Sequence, residues 1–321
     1  MKKYVGIFGY GAIGSKYAHW LTEMNCEVGV FDLDTTRISN EQPCNFKLFS
    51  SAEKLAHWAK DCSIISTPPN NHLSTLNIIL KNSKSSKVLI EKPLSSSLQD
   101  GRKILELSRK NKSRLFGVCN LRFHPGVQTL KKELKRIGKV YFTKAYFSHR
   151  LSQMRASGLS VFAAKNEYGG GVVLDCVHDI DIFIWLFGKS SVLHSWSGQL
   201  GNEKIKAEDY AAIFMETEHG IRGSFHFDFI GKYKQRGFEI VGEFGSLSWK
   251  SEGKNPEIAS VCFCENDKKI SLLKCKNLDV SLAYKEMLQK ALSDTNDLQT
   301  IDQAFNVLSL ASDASGSVLK N

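Results

Sequence analysis

The sequence lacks several features that would have set its class at once. Its eight cysteines (26, 44, 62, 119, 176, 262, 264 and 275) are scattered, and none forms a CxxC pair. That spacing suggests neither a disulfide framework nor a metal site. No apolar run approaches the roughly 20 residues of a membrane span. Two lysines near the N-terminus lead straight into an apolar strand pattern, without the apolar segment and cleavage site of a secretory leader. A cytoplasmic location is therefore expected. Repeats and low-complexity tracts are absent too, and Ser83-Lys84-Ser85-Ser86 reads as a turn. The net charge of +10 raises nucleic acid as a partner, but the basic clusters at 81–114 and 131–139 carry no aromatic interleaving and no nucleic-acid motif. They read as solvated faces whose field would draw in an anionic cofactor or a phosphorylated substrate.

What is present is more specific. Val5-Gly6-Ile7-Phe8 is a short apolar run that ends in Gly9-Tyr10-Gly11-Ala12-Ile13-Gly14, and a helix-compatible segment follows. In a dinucleotide site the first glycine allows the tight turn, the second lets backbone approach a pyrophosphate, and the third lets helix pack on strand. Gly9, Gly11, Ala12, Ile13 and Gly14 are thus the expected phosphate loop, with the helix N-terminus facing the anion. A second apolar run, Val28 to Phe31, ends at Asp32, where an acid would bind the adenosine ribose. The carboxylates of Asp32 and Asp34 would repel a 2′-phosphate, so NAD is the expected cofactor, with NADP left open by the nearby Arg37.

At 321 residues the chain has room for two cores. Apolar runs at 4–8, 28–31, 62–66, 87–90 and 115–119 alternate with amphipathic segments, which predicts a doubly wound parallel sheet of the Rossmann type over residues 1–120. From 121 to 321 the pattern changes. Val140 to Arg150, Tyr210 to Ile230 and Gly237 to Trp249 alternate as strands do, predicting an α+β domain with an open, largely antiparallel sheet. One helix is expected from about Gly171 to Phe187, and a last one, near Asp302 to Leu319, can pack on either domain. Phe225, Phe227 and Phe229, or their alternates, are expected on an exposed sheet face that forms an interface.

Three further motifs carry chemistry. Ser66-Thr67-Pro68-Pro69-Asn70-Asn71-His72 follows a strand and so reaches the cofactor crevice of a doubly wound sheet. Thr67, Pro68, Asn70 and His72 are its candidate cofactor contacts, and a plain turn before a helix is the alternative. Glu91-Lys92-Pro93 follows the next strand. Glu91 and Lys92 are candidate cofactor contacts there, and Lys92 can exchange a substrate proton; the proline allows a cis bond. Gly169-Gly170-Gly171 precedes Asp175, His178, Asp179 and Asp181, which on one helix would share a face. An imidazole oriented by a carboxylate suits acid–base work. A helix cap with a satisfied core histidine is the competing explanation.

These motifs, with Asn120-Leu121-Arg122-Phe123-His124-Pro125 and Gly242-Glu243-Phe244-Gly245, resemble in order and spacing the glucose–fructose oxidoreductase / inositol dehydrogenase (Gfo/Idh/MocA) family. The resemblance implies an NAD(P)-dependent oxidoreductase acting on a sugar, cyclitol or nucleotide sugar, with Lys92 and His178 handling the proton. It also implies a homodimer or homotetramer; from the composition above, no nucleic-acid or membrane partner is expected. Many members place the carboxylate four residues before the histidine, where this chain has Leu174. Asp175 stands three before it, as in a branch associated with surface-polysaccharide gene clusters, and its role is left open. Arg122, His124, Lys165 and Asp179 are candidate substrate contacts, along with Asp228 and Arg236. A non-catalytic sensor, or a glycoside hydrolase or lyase that recycles NAD, are the alternatives.

Overall fold

The computed structural model describes residues 2–38, 45–83, 87–111, 114–154, 159, 162–165, 170–253, 257–279, 281–293 and 297–315. Cys44, positions 84–86 of the expected turn, Gly169 and the end of the last expected helix lie outside them. The chain divides into two compact units, Met1–Cys119 with Lys285–Asn306, and Asn120–Tyr284 with Val307–Asn321.

The first unit runs β1 (Tyr4–Phe8), α1 (Gly14–Glu23), β2 (Glu27–Phe31), β3 (Lys47–Leu48), α2 (Ala52–Trp58), β4 (Cys62–Ile65), α3 (His72–Asn82), β5 (Lys87–Ile90), α4 (Leu98–Lys110) and β6 (Leu115–Gly117). Val5, Ile7, Phe8, Ile64, Ile65, Leu89 and Ile90 are fully buried, as expected where a parallel sheet is covered on both faces. A late strand, β15 (Gln299–Thr300), pairs antiparallel to β6, and the strand order is β15-β6-β5-β4-β1-β2-β3. The chain leaves β1 toward β2 in one direction and returns through β4 in the other, so the β1/β4 boundary is the topological switch point where such sheets bind ligands. The short strands β3 and β15, two residues each, carry no periodic signal that sequence alone could show.

The second unit contains α5 (Pro125–Glu133), β7 (Val140–Ser148), α6 (Leu151–Met154), α7 (Val172–Asp175), α8 (Val177–Phe187), β8 (Ser190–Gly198), β9 (Tyr210–Thr217), β10 (Arg222–Asp228), β11 (Gln235–Gly242), β12 (Gly245–Glu252), β13 (Ile258–Glu265) and β14 (Lys268–Cys275). Helices α9 (Ser281–Leu292) and α10 (Ile301–Ala314) follow. The eight strands are ordered β14-β13-β12-β11-β7-β10-β9-β8, and only β7 and β10 are parallel neighbours.

Two expectations need correction. Phe225, Phe227 and Phe229 are all buried, with Phe183 of α8 edge-on to Phe225 at 5.4 Å. The opposite face carries the alternates Ser224 and His226 and the exposed rings of Trp196 and Phe214. Its aromatic row runs from Trp196 to Tyr210 and His226, at centroid spacings of 5.3 and 4.9 Å. The expected single helix from Gly171 to Phe187 is two helices, because Cys176 (φ −95°, ψ 16°) departs from helical geometry. The Asp179 N–H donates to the Cys176 carbonyl, a tight three-residue closure at 3.1 Å. Asp175 therefore ends one helix and His178 lies in the first turn of the next, so Asp175 does not share a helical face with His178, Asp179 and Asp181, which stay together on α8.

Candidate active site

The nucleotide crevice of the first unit is built from backbone. Gly9 has φ +102°, and a Cβ there would meet the Ser66–Thr67 backbone. Its N–H donates to the Phe31 carbonyl at 2.8 Å, and its own carbonyl accepts from the Ser66 hydroxyl at 2.8 Å. A Cβ at Gly14 would overlap the Gly9 carbonyl, whereas one at Gly11 would meet nothing within 4 Å. The first and third glycines thus shape the loop internally, and the second opens onto free space. The N-terminus of α1 has no side-chain cap and no acidic residue in its first turn, which leaves its N–H groups and positive dipole end to an anion. This is the arrangement a pyrophosphate requires. Ala12 is exposed and Ile13 half-buried, on the same open turn.

Asp32 is half-buried at the end of β2. Its Oδ2 accepts from the Tyr10 N–H at 2.5 Å and its Oδ1 from the Asp34 N–H at 2.8 Å. Each oxygen keeps lone-pair capacity, so Asp32 fastens the glycine loop and can still accept ribose hydroxyls. The Asp34 carboxylate accepts from Thr36 N–H and hydroxyl. Thr67 offers a buried hydroxyl with no hydrogen-bond partner, and a buried polar atom left in that condition fits a ligand contact. Pro68 and Asn70 are exposed beside it. The loop thus fits a dinucleotide on three counts: the free space at Gly11, the uncapped helix and the Thr67 hydroxyl.

His72 and Glu91 serve this crevice without being open to a cofactor, which corrects both expectations. The His72 ring is fully buried. Its Nδ1 lies 3.1 Å from the Leu94 carbonyl and its Nε2 lies 2.9 Å from the Thr67 carbonyl, so it ties the loop after β4 to the loop after β5. Burial holds its pKa below the usual histidine value, against those carbonyl contacts. Glu91 accepts from the Tyr17 hydroxyl at 2.5 Å and from the Lys92 N–H at 2.9 Å. Tyr17 belongs to α1, so the phosphate-loop helix is bound to the backbone of Lys92. The Lys92–Pro93 peptide is cis, and Lys92 itself is half-buried.

In the second unit, Asp175, His178, Asp179 and Asp181 are all buried. The last two are structural. The Asp181 carboxylate accepts two bonds from Arg122, at 2.7 Å from Nε and 2.6 Å from Nη2, with side chains 1% and 3% exposed. Asp179 accepts from Arg236 Nη2 at 3.0 Å. Burial works against the Arg236 charge, but Asp179, then Cys176, Asp175 and Glu257, hold it firmly protonated. Arg122 is thus paired with Asp181 in the interior, and the half-buried Arg236 with Asp179, which gives each arginine a structural partner. His124 also changes role. Its Nδ1 accepts from the Gly126 N–H at 3.0 Å and caps α5, with Pro125 at the first helical position. Burial pushes its pKa down to about 4, so the ring is neutral at neutral pH. Asp228 accepts from the Ser148 hydroxyl and from the Ile230 and Gly231 N–H groups, which makes it a turn residue. Lys165 is half-buried, and its carbonyl accepts from Gly170 N–H.

Among the described residues no group of three or more His, Cys, Asp and Glu is arranged to hold a metal. No helix among them is long and apolar enough to cross a membrane. The sequence reading missed Ser66, whose hydroxyl clasps the phosphate loop, and Glu208, a buried acid against Gly171. Ser66 lies within a quoted motif, but a serine after a strand has no signature of its own, and Glu208 sits in no motif at all.

Comparison with known proteins agrees with this construction. Residues 3–118 match the "Oxidoreductase family, NAD-binding Rossmann fold", and residues 127–248 match the "GFO/IDH/MocA C-terminal domain". The chain belongs to the GFO/IDH/MocA oxidoreductase family, and its first unit is that family's NAD-binding domain. Among its relatives, the 1,5-anhydro-D-fructose reductase of Ensifer adhaerens is 29% identical over 50% of this chain and 48% of its own. The matched stretch is thus about half the length of that relative. The inositol 2-dehydrogenase of Rubrobacter xylanophilus is 26% identical over 76% of this chain and 70% of its own. In fold, the chain is similar to the WlbA dehydrogenase from Bordetella pertussis, solved in complex with NADH and UDP-GlcNAcA. That likeness has a TM-score of 0.77 at 18% identity, covering 97% of this chain and 95% of that one.

Proposed function

We propose that this protein is an NAD-dependent dehydrogenase that moves a hydride between NAD and a secondary alcohol or ketone carbon of a sugar, cyclitol or nucleotide sugar. The observation that carries the reading is the fixing of Lys92 to the nucleotide crevice. Its backbone is held by Glu91, Glu91 by Tyr17 of the phosphate-loop helix, and the following Leu94 carbonyl by His72. A pure nucleotide sensor needs the crevice but has no use for a lysine placed in this way. The relatives named above are an anhydrofructose reductase and an inositol dehydrogenase, and the similar fold was solved with a UDP-sugar, which supports this substrate class.

In this reading the 9–14 loop and the start of α1 hold the pyrophosphate, Asp32 accepts the adenosine ribose hydroxyls, and the Thr67 hydroxyl supplies a further contact. When bound, NAD supplies the hydride acceptor at its nicotinamide ring. Lys92 takes the hydroxyl proton as the alcohol is oxidised and returns it in the reverse direction. His178 is the second proton-handling group, and Asp175 tunes it. The substrate domain pairs with copies of itself through the open sheet face bearing Trp196 and Phe214, since exposed apolar area of that kind marks interfaces. The test is a turnover screen of sugars, cyclitols and nucleotide sugars with NAD and with NADP, followed by nicotinamide absorbance. Turnover of one class with NAD preferred is expected. Calorimetric NAD binding with no turnover of any of them would favour the sensor instead, and a preference for NADP would remove Asp32 from ribose recognition.

A further inference from the structure

Glu208 lies two residues before β9 and is only 8% exposed. Its carbonyl accepts from the Val172 N–H at 3.0 Å, and its Oε1 accepts from the Val173 N–H at 3.4 Å. Both donors belong to the first turn of α7, the four-residue helix that ends at Asp175. Gly171, just before that turn, has φ +117°, and a Cβ there would fall inside the Glu208 carboxyl group. Backbone and side chain of one residue therefore grip the segment that leads to Asp175, Cys176 and His178. The remaining oxygen, Oε2, is buried without a hydrogen-bond partner, and no cation among the described residues is paired with it.

A carboxylate charge in that position would be poorly compensated, so the neutral acid is favoured. Burial pushes the Glu208 pKa up to about 7, the bonds from its own and the Val173 N–H pull it down, and the Asp209 charge adds to the rise. The titratable groups on the surrounding elements are Lys206 and Asp209 on the same segment, Asp175 on α7, His178 on α8, Lys165 before the glycines and Tyr210 on β9. Of these, Asp209 is the one whose charge acts on Glu208. Its own oxygens are taken by the Leu200 and Gly201 N–H groups.

We propose that Glu208 is a positioning residue for Asp175 and His178, holding the α7–α8 segment in its working arrangement as a neutral acid and loosening it on ionisation. The proposal rests on the dehydrogenase reading for what those two residues do. The pH dependence has a definite sign. The folded pKa lies above the ordinary carboxyl value, so the native state keeps a proton that the unfolded chain loses. The stability contribution is full below pH 4.5, the ordinary value, and falls until pH passes about 7.

The experiment compares wild-type protein with Glu208→Gln, which is neutral at every pH and nearly isosteric. The ratio of wild-type to variant unfolding constants should rise by roughly 50- to 100-fold between pH 5 and pH 8. The kcat of wild type should fall on the alkaline side of pH 7, while that of Glu208→Gln stays level there and matches wild type at pH 6. NAD affinity should be equal in both. Carboxyl 13C NMR of glutamate-labelled wild type needs no variant to fold and should show one glutamate titrating near pH 7. Glutamates that all titrate below pH 5, or a flat ratio of unfolding constants, would overturn the proposal. So would a titrating Glu208 whose replacement leaves the kcat profile unmoved. The unfolding and NMR measurements use no substrate, so a failed sugar screen is distinguishable from a failed role for Glu208.

Discussion

Replacing Asp181 by Asn separates two accounts of Arg122. As a substrate contact, Arg122 would lose nothing in stability when Asp181 changes. As a structural cation, it would be left charged in a site where its side chain is 3% exposed, with one of its two bonds at 2.6 and 2.7 Å replaced by an opposed N–H donor and the balancing carboxylate charge gone. Breaking one side of a buried ion pair typically costs about 3–5 kcal/mol, because the surviving charge has no compensation. Trp185 relieves little of that cost. Its ring centre lies 5.4 Å from the guanidinium, and the Lys131 ammonium lies nearer, at 3.9 Å. The expected result is a large drop in the midpoint of urea unfolding followed by tryptophan fluorescence, with NAD affinity unchanged. Replacing both partners together, Arg122→Met with Asp181→Leu, should recover most of the loss, since a buried pair is often no better than well-packed apolar groups of similar volume. An Asp181→Asn protein that unfolds at the wild-type urea concentration but shows a raised KM for its sugar would refute the structural assignment. It would return Arg122 to the substrate site.

Lys92→Ala should keep NAD affinity, read by calorimetry, and lose about 100-fold or more in turnover, as expected for a missing acid–base group; unchanged turnover would remove Lys92 from the chemistry. His178→Asn should cost more turnover than Asp175→Asn, because the second change leaves the imidazole in place, and steady-state kinetics showing the reverse order would reassign the proton to Asp175. Light scattering at micromolar concentration should give a dimer or tetramer, reduced toward monomer by Trp196→Lys with Phe214→Lys on the open sheet face. A wild-type monomer would contradict that interface.

Much of the first unit was legible because its signals are local. Apolar runs a few residues long, glycines at fixed offsets and an acid ending the second strand each point to one backbone geometry, and strands 4–8 and 87–90 fall where the pattern put them. The glycine roles divided as expected, with Gly9 and Gly14 packed against protein and Gly11 facing open space. The second sheet was legible in type but not in facing. Period-two alternation states that Phe225 and Phe227 share a side. It does not state which side the helices cover, and Phe183 of α8 settles that by packing on Phe225.

Arg122, His124 and Asp179, expected as substrate contacts, are found with protein partners for a reason that is also physical. A charged residue in an apolar stretch must have a partner, because an unpaired buried charge costs far more than folding can spare. Sequence shows the need but not the partner, which can be a ligand or another side chain far along the chain. In Val177–Phe187 the need was correctly seen for Asp179 and Asp181, and in both cases an arginine meets it, 57 and 59 residues away. His124 followed the same course in part, with its Nδ1 spent on the α5 cap. Glu208 is the converse case. Nothing near it in sequence marks it, and its signal is a glycine 37 positions earlier whose missing side chain leaves room for a carboxyl group that no described cation neutralises. A polar group aligned with a motif is thus weaker evidence of function than a buried one that the fold leaves incompletely satisfied. Thr67 and Glu208 are two such positions among the described residues.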